Sequence, residues 1–596
     1  MSSYHGSARP LFAPHLHVRS AEMTNKAVGK FLNRTSKLIE LTGGNVFRAR
    51  AFARAARAIE RLDTPVATLV ASGEILTVDG IGKGLVEQLT ELLERGTFQL
   101  AEELEAALPP GVPDLLLIPG LGTKKVRQLW QDLGITSLDE LEQAAKDGRI
   151  ATLPGFGTKV QTNLLSSVPR VRMYRAHKRY ADGAADAHAF MTALAETPGV
   201  SQVAFTGALR RGMDILAEAE LLISCTDEVW EELSTTATTD ASVPDGPLPM
   251  LHLLRDGALP CRLYRSQDQT WGKDLALSTG PALLVAALQQ QQQRSGPTAP
   301  PNTPAAYPTE ESYLGSLGFV TTPPELRDHP RALDHLQGSL PVPKLIERAH
   351  LRGTLHNHST YSDGAHTLDE MAQEARALGY AYLGICDHSQ SLTVAHGLRP
   401  DEVARQHEHI ERLNDAFAQD GGTPFKIFRG IESDILIDGS LDYTDDILRT
   451  FDLVVASIHT GFNMTAAEAT SRLIKAIAHP ATTILGHPTG RLLLAREGYP
   501  IDHEAVLQAC AAHGVAVELN ANPYRLDIDW RWIHRAMELN VLVSINPDAH
   551  SKDQLSLDRF GVLAARKGGL SAEGCFNAMT LSQMQDYLDR RKQAWS

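Results

Sequence analysis

The chain reads His356-Asn357-His358-Ser359-Thr360-Tyr361-Ser362-Asp363-Gly364 directly after a short β-like run, residues 352–355. Side chains at positions i and i+2 of a strand point to the same side, so both imidazoles of the His-Asn-His triplet can reach one metal ion. Asp363 adds a carboxylate shortly afterwards. A single His-x-His triplet is weak evidence, because such pairs arise by chance and are more often structural. The rest of the C-terminal third of the chain decides whether this triplet is interpreted as metal-binding or as structural.

Further apolar β-like runs in this third of the chain end in histidine or acidic residues. The runs and the residues that follow them are 382–386 with Asp387 and His388, 426–430 with Glu432, 453–458 with His459, 483–485 with His487, and 541–545 with Asp548 and His550, while 516–519 is a further run. Helical patterns separate these runs, and the alternation predicts a parallel α/β barrel. Functional residues of such barrels lie at the C-terminal ends of the strands. Structural histidines alone do not account for candidate ligands at so many strand ends.

The candidate ligands combine imidazoles with carboxylates. They are His356, His358, Asp363, His388, Glu432, His459, His487, Asp548 and His550. This set exceeds what one tetrahedral zinc ion needs. It predicts two or three divalent ions with mixed nitrogen and oxygen ligands, such as Mn²⁺, Zn²⁺ or Fe²⁺. Clustered divalent ions suit phosphoester hydrolysis, because one lowers the pKa of a bound water and another neutralises phosphate oxygens.

These motifs resemble the polymerase and histidinol phosphatase (PHP) family. The resemblance covers the whole C-terminal third, and every usual ligand position of that family is matched by one of the residues named above. It implies a distorted seven-stranded (β/α) barrel, expected over residues 346–596, with a trinuclear metal site. Among the matched residues, Asp363, His388, His459 and Asp548 are expected to take part in catalysis as well.

A glycine pattern recurs in the front of the chain, residues 23–180, which has a helical composition. Its copies contain Gly80, Gly82 and Lys83; Gly120, Gly122, Lys124 and Lys125; and Gly155, Gly157 and Lys159. These units resemble helix-hairpin-helix motifs, which hold the DNA backbone without reading its sequence. Glycine lets the backbone approach a phosphate closely, and N–H groups at the start of the next helix can donate to it. The alternative is that these glycines only cap helices.

Charge is distributed unevenly along the chain. Residues 23–180 contain 22 Lys and Arg against 17 Asp and Glu, whereas the whole chain has a net charge of −14. A basic front and an acidic remainder fit a DNA-binding module joined to a metal-binding one, although chance asymmetry between domains gives the same pattern. A helical face of arginines, either phosphate-binding or simply solvated, is predicted from the spacing of Arg50, Arg54, Arg57 and Arg61.

The bulk composition is that of a soluble globular protein, with 43% hydrophobic and 21% charged residues. No apolar run is long enough to predict a membrane span. Residues 1–22 lack the apolar core of a secretory signal and are expected to form a disordered tail. The 5 cysteines are odd in number and form no CxxC pair, which argues against disulfides and a cysteine zinc site. We expect a cytoplasmic monomer without a membrane partner.

Composition also predicts domain boundaries within the 596 residues, a length typical of three to five domains. Helical DNA-binding domains are expected at 23–105 and 106–184, and a mixed domain with short β-like runs at 185–288. Residues 289–345 are expected to be a linker, because the first part is rich in Gln, Pro and Thr and cannot bury a core.

The order of helical front, mixed middle and PHP region resembles a bacterial family X DNA polymerase. Residues 207–212, which include Arg211, are similar to the nucleotidyltransferase signature of that family. The resemblance implies an α+β middle domain in which an Asp-x-Asp pair and a third Asp hold two Mg²⁺ ions. Glu218 and Glu220 stand in place of the pair, and Cys261 aligns with the third Asp. A thiol is a poor Mg²⁺ ligand and Glu is one methylene longer than Asp, so Mg²⁺ binding is doubtful and polymerase activity is predicted to be weak or absent.

The resemblance implies a 3′→5′ exonuclease acting on DNA. We therefore expect a DNA-repair enzyme that binds gapped, nicked or 3′-recessed duplex without sequence preference and removes 3′ nucleotides or blocking groups at the PHP site. The alternatives are an active gap-filling polymerase with PHP proofreading, a catalytically inert DNA-binding scaffold, and a small-molecule phosphatase. The hairpin motifs argue against the last alternative, because such an enzyme needs no DNA grip.

Overall fold

The computed structural model describes residues 23–60, 62, 64–237, 248–254, 259–295 and 306–595. The expected tail, residues 1–22, and Arg61 of the predicted arginine face lie outside these residues. The chain forms two compact units, Met1–Ala176 and His177–Ser596, and each is described by itself. None of the described helices is long and apolar enough to cross a membrane.

The first unit is helical, as its composition predicts. Its helices are α1 (Asn25–Leu41), α2 (Val46–Glu60), α3 (Val66–Ser72), α4 (Lys83–Arg95), α5 (Gln99–Ala106), α6 (Thr123–Leu133), α7 (Leu138–Lys146) and α8 (Thr158–Ala176). A short 3₁₀ helix comes before each Gly-x-Gly turn, at Glu74–Thr77, Pro113–Leu117 and Ile150–Thr152. Apolar faces pack into one cluster around Phe52 and Phe98 and another around Leu115 and Leu141.

The second unit begins with a mixed α/β region, here called the middle region. Its elements are β1 (Lys178–Arg179), α9 (Tyr180–Ala195), β2 (Val200–Phe205), α10 (Gly207–Arg210), β3 (Ile215–Leu216), β4 (Ala219–Cys225), α11 (Asp227–Thr236), β5 (Met250–Leu253), β6 (Cys261–Ser266), α12 (Trp271–Thr279), α13 (Ala282–Ser295), α14 (Glu310–Ser316) and α15 (Ala332–Leu336). A 4-stranded sheet has the order β2-β4-β6-β5, in which β4 and β6 are parallel. The predicted boundary of the middle region is residue 185. Strand β1 begins at Lys178 and pairs with β3 of the middle region, so this region starts earlier than predicted.

The expected linker at 289–345 differs from what the structure shows. Helix α13 continues through Ser295, and α14 and α15 follow the segment 296–305, which is outside the described residues. Leu288 on α13 packs in one cluster with Tyr313 and Leu314 on α14, and all three are essentially inaccessible to solvent. The composition is poor in apolar residues, but the few that occur lie on helix faces that meet, which a count of residue types cannot reveal.

A parallel barrel forms the rest of the second unit. Its elements are β7 (Gly353–Thr354), α16 (Leu368–Ala377), β8 (Tyr382–Ile385), α17 (Pro400–Gln419), β9 (Lys426–Asp434), α18 (Asp445–Leu448), β10 (Leu453–Ser457), α19 (Ala466–Ile477), β11 (Thr482–Leu485), α20 (His503–His513), β12 (Ala516–Asn520), α21 (Ile533–Glu538), β13 (Val543–Asn546), α22 (Asp558–Lys567) and α23 (Leu581–Ala594). The strands form a 7-stranded sheet in chain order. A bridge between Asn357 and Ala549 joins the segments after β7 and β13, so the barrel is nearly closed. The carboxyl ends of all these strands therefore meet at one mouth.

Candidate functional site

The His-Asn-His triplet lies just beyond β7, at the mouth of the barrel. The backbone N–H of His358 donates to the carbonyl of Ala549 at 2.8 Å, which fixes the triplet against the last strand end. His356 and His358 are fully buried, with ring centroids 5.3 Å apart. The alternation of a strand thus brings both imidazoles to the same centre, as the spacing predicts.

Glu432, at the end of β9, lies at the middle of the candidate ligands. Its carboxylate is 2.8 Å from His388 Nδ1, 2.9 Å from His487 Nε2 and 3.2 Å from His459 Nε2. His356 Nε2 is 3.3 Å from the same carboxylate. Imidazoles from four different strand ends therefore converge on one buried acid.

The remaining acids complete two further groups of ligand atoms. Asp548 Oδ1 is 3.1 Å from His358 Nε2, and Asp363 Oδ1 is 3.4 Å from His388 Nε2 and 3.5 Å from His550 Nε2. Within each of three groups, all ligand atoms lie within 4.8 Å of one another: His358, Asp363, His388 and His550; His356, His358 and Asp548; and His388, Glu432 and His459. His487 is outside these groups and joins the cluster through Glu432. The structure thus brings together every ligand that the sequence predicts.

Two acidic residues that were not predicted from the sequence, Glu518 and Asp434, make polar contacts with candidate ligand histidines. His356 Nδ1 is 2.7 Å from Glu518 Oε1, and the backbone N–H of His487 donates to Glu518 Oε2 at 2.7 Å. His459 Nδ1 is 2.5 Å from Asp434 Oδ1. Such partners fix the tautomer and the orientation of an imidazole so that the other ring nitrogen faces a metal. The sequence contains a signal for each of these acids. Glu518 lies within the apolar run 516–519, and Asp434 is two positions after Glu432 on the same strand.

Asp387 supports the loop that carries the triplet. It is fully buried and accepts hydrogen bonds from the backbone N–H of Ser359 at 2.8 Å, the Ser362 hydroxyl at 2.5 Å and the Gln406 amide at 2.6 Å. Its oxygens are therefore occupied, which explains why the acid next to His388 is not a ligand. Arg525, also missed, places Nε 3.5 Å from Asp548 Oδ2 and is the cation nearest to this acid.

Burial and the charged neighbours shift the pKa values of the groups in this cluster in different directions. Burial raises the pKa of Glu432, but the neighbouring His459, His356 and His388 outweigh it and hold that pKa well below its usual range. Burial lowers the pKa of His388, but Glu432 and Asp363 reverse this and raise it to about 10. Burial and repulsion by His550 and His388 lower the pKa of His358 to about 3. The acids are thus ionised and His358 is a neutral imidazole, both forms that bind metal, whereas His388 would release its proton when metal binds.

The donor atoms fit divalent metal ions. Among the described residues, the buried atoms His356 Nε2, His358 Nδ1, His388 Nδ1, His487 Nδ1 and Glu432 Oε2 have no aligned hydrogen-bond partner. His388 Nδ1 is close to Glu432 Oε2, yet the two are not oriented for a hydrogen bond. Burying such atoms unpaired is costly unless a cation uses their lone pairs. The site therefore binds divalent metal.

The hairpin glycines of the first unit separate into two kinds. Gly80, Gly120 and Gly155 have φ of +87°, +82° and +82°, a left-handed conformation that favours glycine for backbone reasons alone. Gly82 and Gly122 have φ of −100° and −84°, where any residue fits, and a Cβ on either would meet nothing within 4 Å. The left-handed conformation explains the first kind, whereas Gly82 and Gly122 are the N-cap residues of α4 and α6, positions that serine or asparagine also fill. The second kind leaves open space in front of the N-termini of α4 and α6, as close approach of a phosphate requires.

Several stretches of the chain match family models. Residues 23–98 match the model "Helix-hairpin-helix domain", 112–166 match "SAM-like Helix-hairpin-helix tandem", and 354–538 match "PHP domain". The "DNA polymerase/3'-5' exonuclease PolX" of Bacillus subtilis (strain 168) is 31% identical over 584 residues, which cover 95% of this chain and 100% of that protein. The chain belongs to the bacterial family X DNA polymerases with a C-terminal PHP domain. A "Probable phosphatase" of Syntrophotalea carbinolica is 29% identical over 245 residues, 39% of this chain and 94% of that protein.

The residues of the middle region that were predicted to correspond to a nucleotidyltransferase site make contacts within the protein. Glu220 Oε2 accepts the backbone N–H of Ala208 at 2.8 Å, and its carboxylate lies directly over Gly207. Glu218 Oε1 forms an ion pair with Arg262 Nη2 at 2.7 Å. Arg211 of the family X signature places Nε 3.0 Å from Asp328 Oδ2 and also donates to the carbonyl of Thr279.

The assignment of Cys261 to the third family X carboxylate is wrong. In the parallel pair β4–β6, Cys261 is the partner of Ala219, and Arg262 is the partner of Glu220. Partners on adjacent strands share a face, so the buried Cys261 lies on the opposite side from Glu218 and Glu220. Arg262 stands on the acidic face instead, which a one-residue ambiguity in alignment concealed.

Proposed function

We propose that this family X protein is a metal-dependent 3′→5′ exonuclease and 3′-end phosphoesterase that acts on DNA through its PHP barrel. The observation that carries the proposal is the convergence of His and acidic ligands from separate strand ends on buried Glu432, with donor atoms left unpaired. The proposed polarity follows that of the Bacillus subtilis relative, which is named a 3'-5' exonuclease.

The ligands would hold two or three divalent ions, with Mn²⁺, Zn²⁺ and Fe²⁺ as candidates. The proposed ligands are His356, His358, Asp363, His388, Glu432, His459, His487, Asp548 and His550. Such ions, when bound, supply a water of lowered pKa and neutralise the charge of a phosphoryl group. We propose Asp363, His388, His459 and Asp548 as the catalytic set; Asp363, about one third exposed, is the member that solvent reaches most easily.

The chain contributes groups of its own to the chemistry. Glu518 and Asp434 fix the rings of His356 and His459, so that no reorientation is needed when substrate binds. Arg525, about one fifth exposed beside Asp548, presents a cation where a phosphodiester would enter. Its planar donors suit a phosphate, and we propose that it orients the scissile group.

The first unit would hold the DNA. The open faces of Gly82 and Gly122, with exposed Lys83 and Lys124 beside them, suit contacts to the backbone of gapped, nicked or 3′-recessed duplex. Such contacts carry no sequence information. We propose that the protein works as a cytoplasmic monomer and that its polymerase activity is weak or absent, since Arg262 pairs with Glu218 on the acidic face of the middle sheet.

The test uses a duplex with a 3′-labelled recessed primer and Mn²⁺. Wild type is expected to release labelled mononucleotides, and His356→Ala and Asp548→Ala are expected to abolish release. The matched control is His479→Ala on the outside of the same barrel, where His479 pairs with exposed Asp445, and it is expected to keep full activity. Full activity in both ligand variants refutes the assignment. Absence of bound metal in elemental analysis of the wild type favours the inert-scaffold alternative.

A further inference from the structure

Residues 207–214, here called the signature loop, comprise the signature-like residues 207–212 and the two residues that follow them, and they pack against the mouth of the barrel. Asp214 Oδ2 is 3.3 Å from Nη2 of Arg491, and their side chains are only 11% and 16% exposed. Arg491 lies on the loop that follows β11 and begins with the candidate ligand His487. The cavity between this loop and the barrel, lined by Gly212, Asp214 and Leu526 among others, is about 10 Å³, so the two surfaces fit with little free space.

Arg491 ties two loops of the mouth together. Its Nε donates to the carbonyl of Arg525 at 2.9 Å, and its guanidinium also donates to the carbonyl of Leu526. The same loops meet a second time, where the backbone N–H and the hydroxyl of Thr489 each donate to Asp527 at 2.9 Å. The position of segment 525–527 therefore depends on where Arg491 is held.

Both loops reach the metal centre. His487 Nε2 is 2.9 Å from Glu432, and Arg525 Nε is 3.5 Å from Asp548. A displacement of Arg491 would therefore move a proposed ligand on one loop and the proposed phosphate-orienting cation on the other.

A second anchor holds the signature loop in place. Lys567 of α22 is completely buried, and its Nζ donates to the carbonyl of Arg211 at 3.0 Å and to Asp328 Oδ2 at 2.8 Å. Because Arg211 also pairs with Asp328, the loop is fixed on the barrel three residues before Asp214. Arg491 thus lies between two carboxylates, Asp214 on this fixed segment and Asp529, whose Oδ2 is 2.5 Å from Nη1 of Arg491.

We propose that Asp214 is a positioning residue of the phosphoesterase: through Arg491 it holds the loops that present His487 and Arg525 to the substrate. The inference rests on the proposed function of the PHP site. Without Asp214 the guanidinium keeps Asp529 as its carboxylate partner and shifts toward it, which loosens its bonds to the carbonyls of Arg525 and Leu526. The signature loop thereby has a role that requires neither Glu218 nor Glu220.

The experiment compares Asp214→Asn with Asp227→Asn in the full chain. Asp227 lies in the same middle region and also pairs with an arginine, Arg265, at 2.6 Å. Because the side chain of Asp227 is 84% exposed, Asp227→Asn applies the same chemical change to an ion pair at the surface. The substrate is bis(p-nitrophenyl) phosphate with Mn²⁺, a diester small enough to make DNA grip irrelevant. For Asp214→Asn we expect kcat to fall about tenfold with a smaller change in KM, as for residues that support metal ligands. Amide hydrogen exchange in segments 487–491 and 523–529 should accelerate in that variant only.

Unchanged kcat and unchanged exchange in Asp214→Asn overturn the proposal. If the wild type does not cleave the diester, the proposed function fails, and the exchange comparison still decides whether Asp214 positions these loops. Arg491→Lys is the second variant in case Asp214→Asn does not fold, because lysine keeps the charge but cannot bond to both carbonyls. Faster exchange at 523–529 in this variant supports the proposal, and exchange equal to that of the wild type overturns it.

Discussion

Arg262 and Glu218 form an ion pair on the acidic face of the middle sheet, with 2.7 Å between Nη2 and Oε1. The guanidinium lies on the same face as Glu220, whose carboxylate accepts the backbone N–H of Ala208. A permanent cation beside Glu218 competes with Mg²⁺ for this carboxylate and offsets one of the two negative charges on this face. The substitution of Asp by Glu is therefore only part of the change at this site.

We predict that gap filling is absent or at least on the order of a hundredfold slower than in the Bacillus subtilis relative. The reason is that phosphoryl transfer at a two-metal site depends on the bound metal ions. The measurement is incorporation of labelled nucleotide into a one-nucleotide gap with Mg²⁺ or Mn²⁺, with that relative as the positive control. Incorporation at a comparable rate that disappears in Glu218→Ala contradicts the prediction and restores the gap-filling alternative.

Glu518→Gln is expected to weaken Mn²⁺ binding or hydrolysis roughly 10–100-fold, although Glu518 is not in the proposed ligand set. The acid holds His356 Nδ1 and the backbone N–H of His487, and an amide would present N–H groups or a weaker acceptor to both. Isothermal titration with Mn²⁺ and the diester assay measure the two effects. Glu538→Gln is the control, because Glu538 is 50% exposed and pairs with Arg535 outside the mouth. Equal behaviour of the two variants excludes the supporting role.

The barrel and the strand ends that carry its candidate ligands were predictable from the sequence because both depend on local patterns. A buried parallel strand is a short apolar run, and a ligand at its carboxyl end comes directly after it, so His388, His459 and Asp548 could be found one at a time. Glu518 escaped because it lies within its run and contacts His356 from 162 positions away. Its role is defined by another strand, which no local pattern describes.

Contacts between distant segments explain the wrong predictions too. Cys261 and Arg262 differ by one position, and only the pairing of β6 with β4 decides which of them faces Glu220. The expected linker, residues 289–345, has a solvated composition, yet Tyr313 within it packs in one buried cluster with Leu288, the residue just before it. The pair Asp214–Arg491 joins residues 277 positions apart, and nothing near either residue indicates the other.

Lys124→Ala is expected to weaken DNA binding to a similar extent on all sequences and to reduce the slope of log K against log salt by about one, because one phosphate contact is lost. The measurement is fluorescence anisotropy of labelled gapped duplex over a series of salt concentrations. Lys146→Ala is the control, since Lys146 lies on α7 in the same unit and pairs with Glu142 at 2.6 Å away from the hairpin turns. A slope unchanged in Lys124→Ala, or reduced equally in both variants, argues against the hairpin as a phosphate site.

A group of histidines in the second unit makes stability depend on pH. His329 is 8% exposed, and its ring lies 5.8 Å from that of His335 and 5.4 Å from that of His534. Burial, followed by the repulsion of His534 and His335, lowers the pKa of His329 to about 4. Above pH 6.5 the residue is neutral whether the chain is folded or unfolded. Between pH 6.5 and about 4 only the unfolded chain binds the proton, so acidification favours unfolding.

When the pH falls from 7 to 5, the free energy of unfolding should therefore decrease less in His329→Asn than in the wild type. The expected difference between the two decreases is roughly 1–2 kcal/mol. Asparagine can still accept the backbone N–H of Arg331, which His329 Nδ1 accepts at 3.1 Å, so the local turn is kept. Urea denaturation followed by tryptophan fluorescence at both pH values measures the difference, and His479→Asn at a more exposed site serves as the control. If His329→Asn and the wild type lose the same free energy on acidification, the buried imidazole is not the acid-sensitive group. The proton uptake that destabilises this unit must then be assigned to other residues.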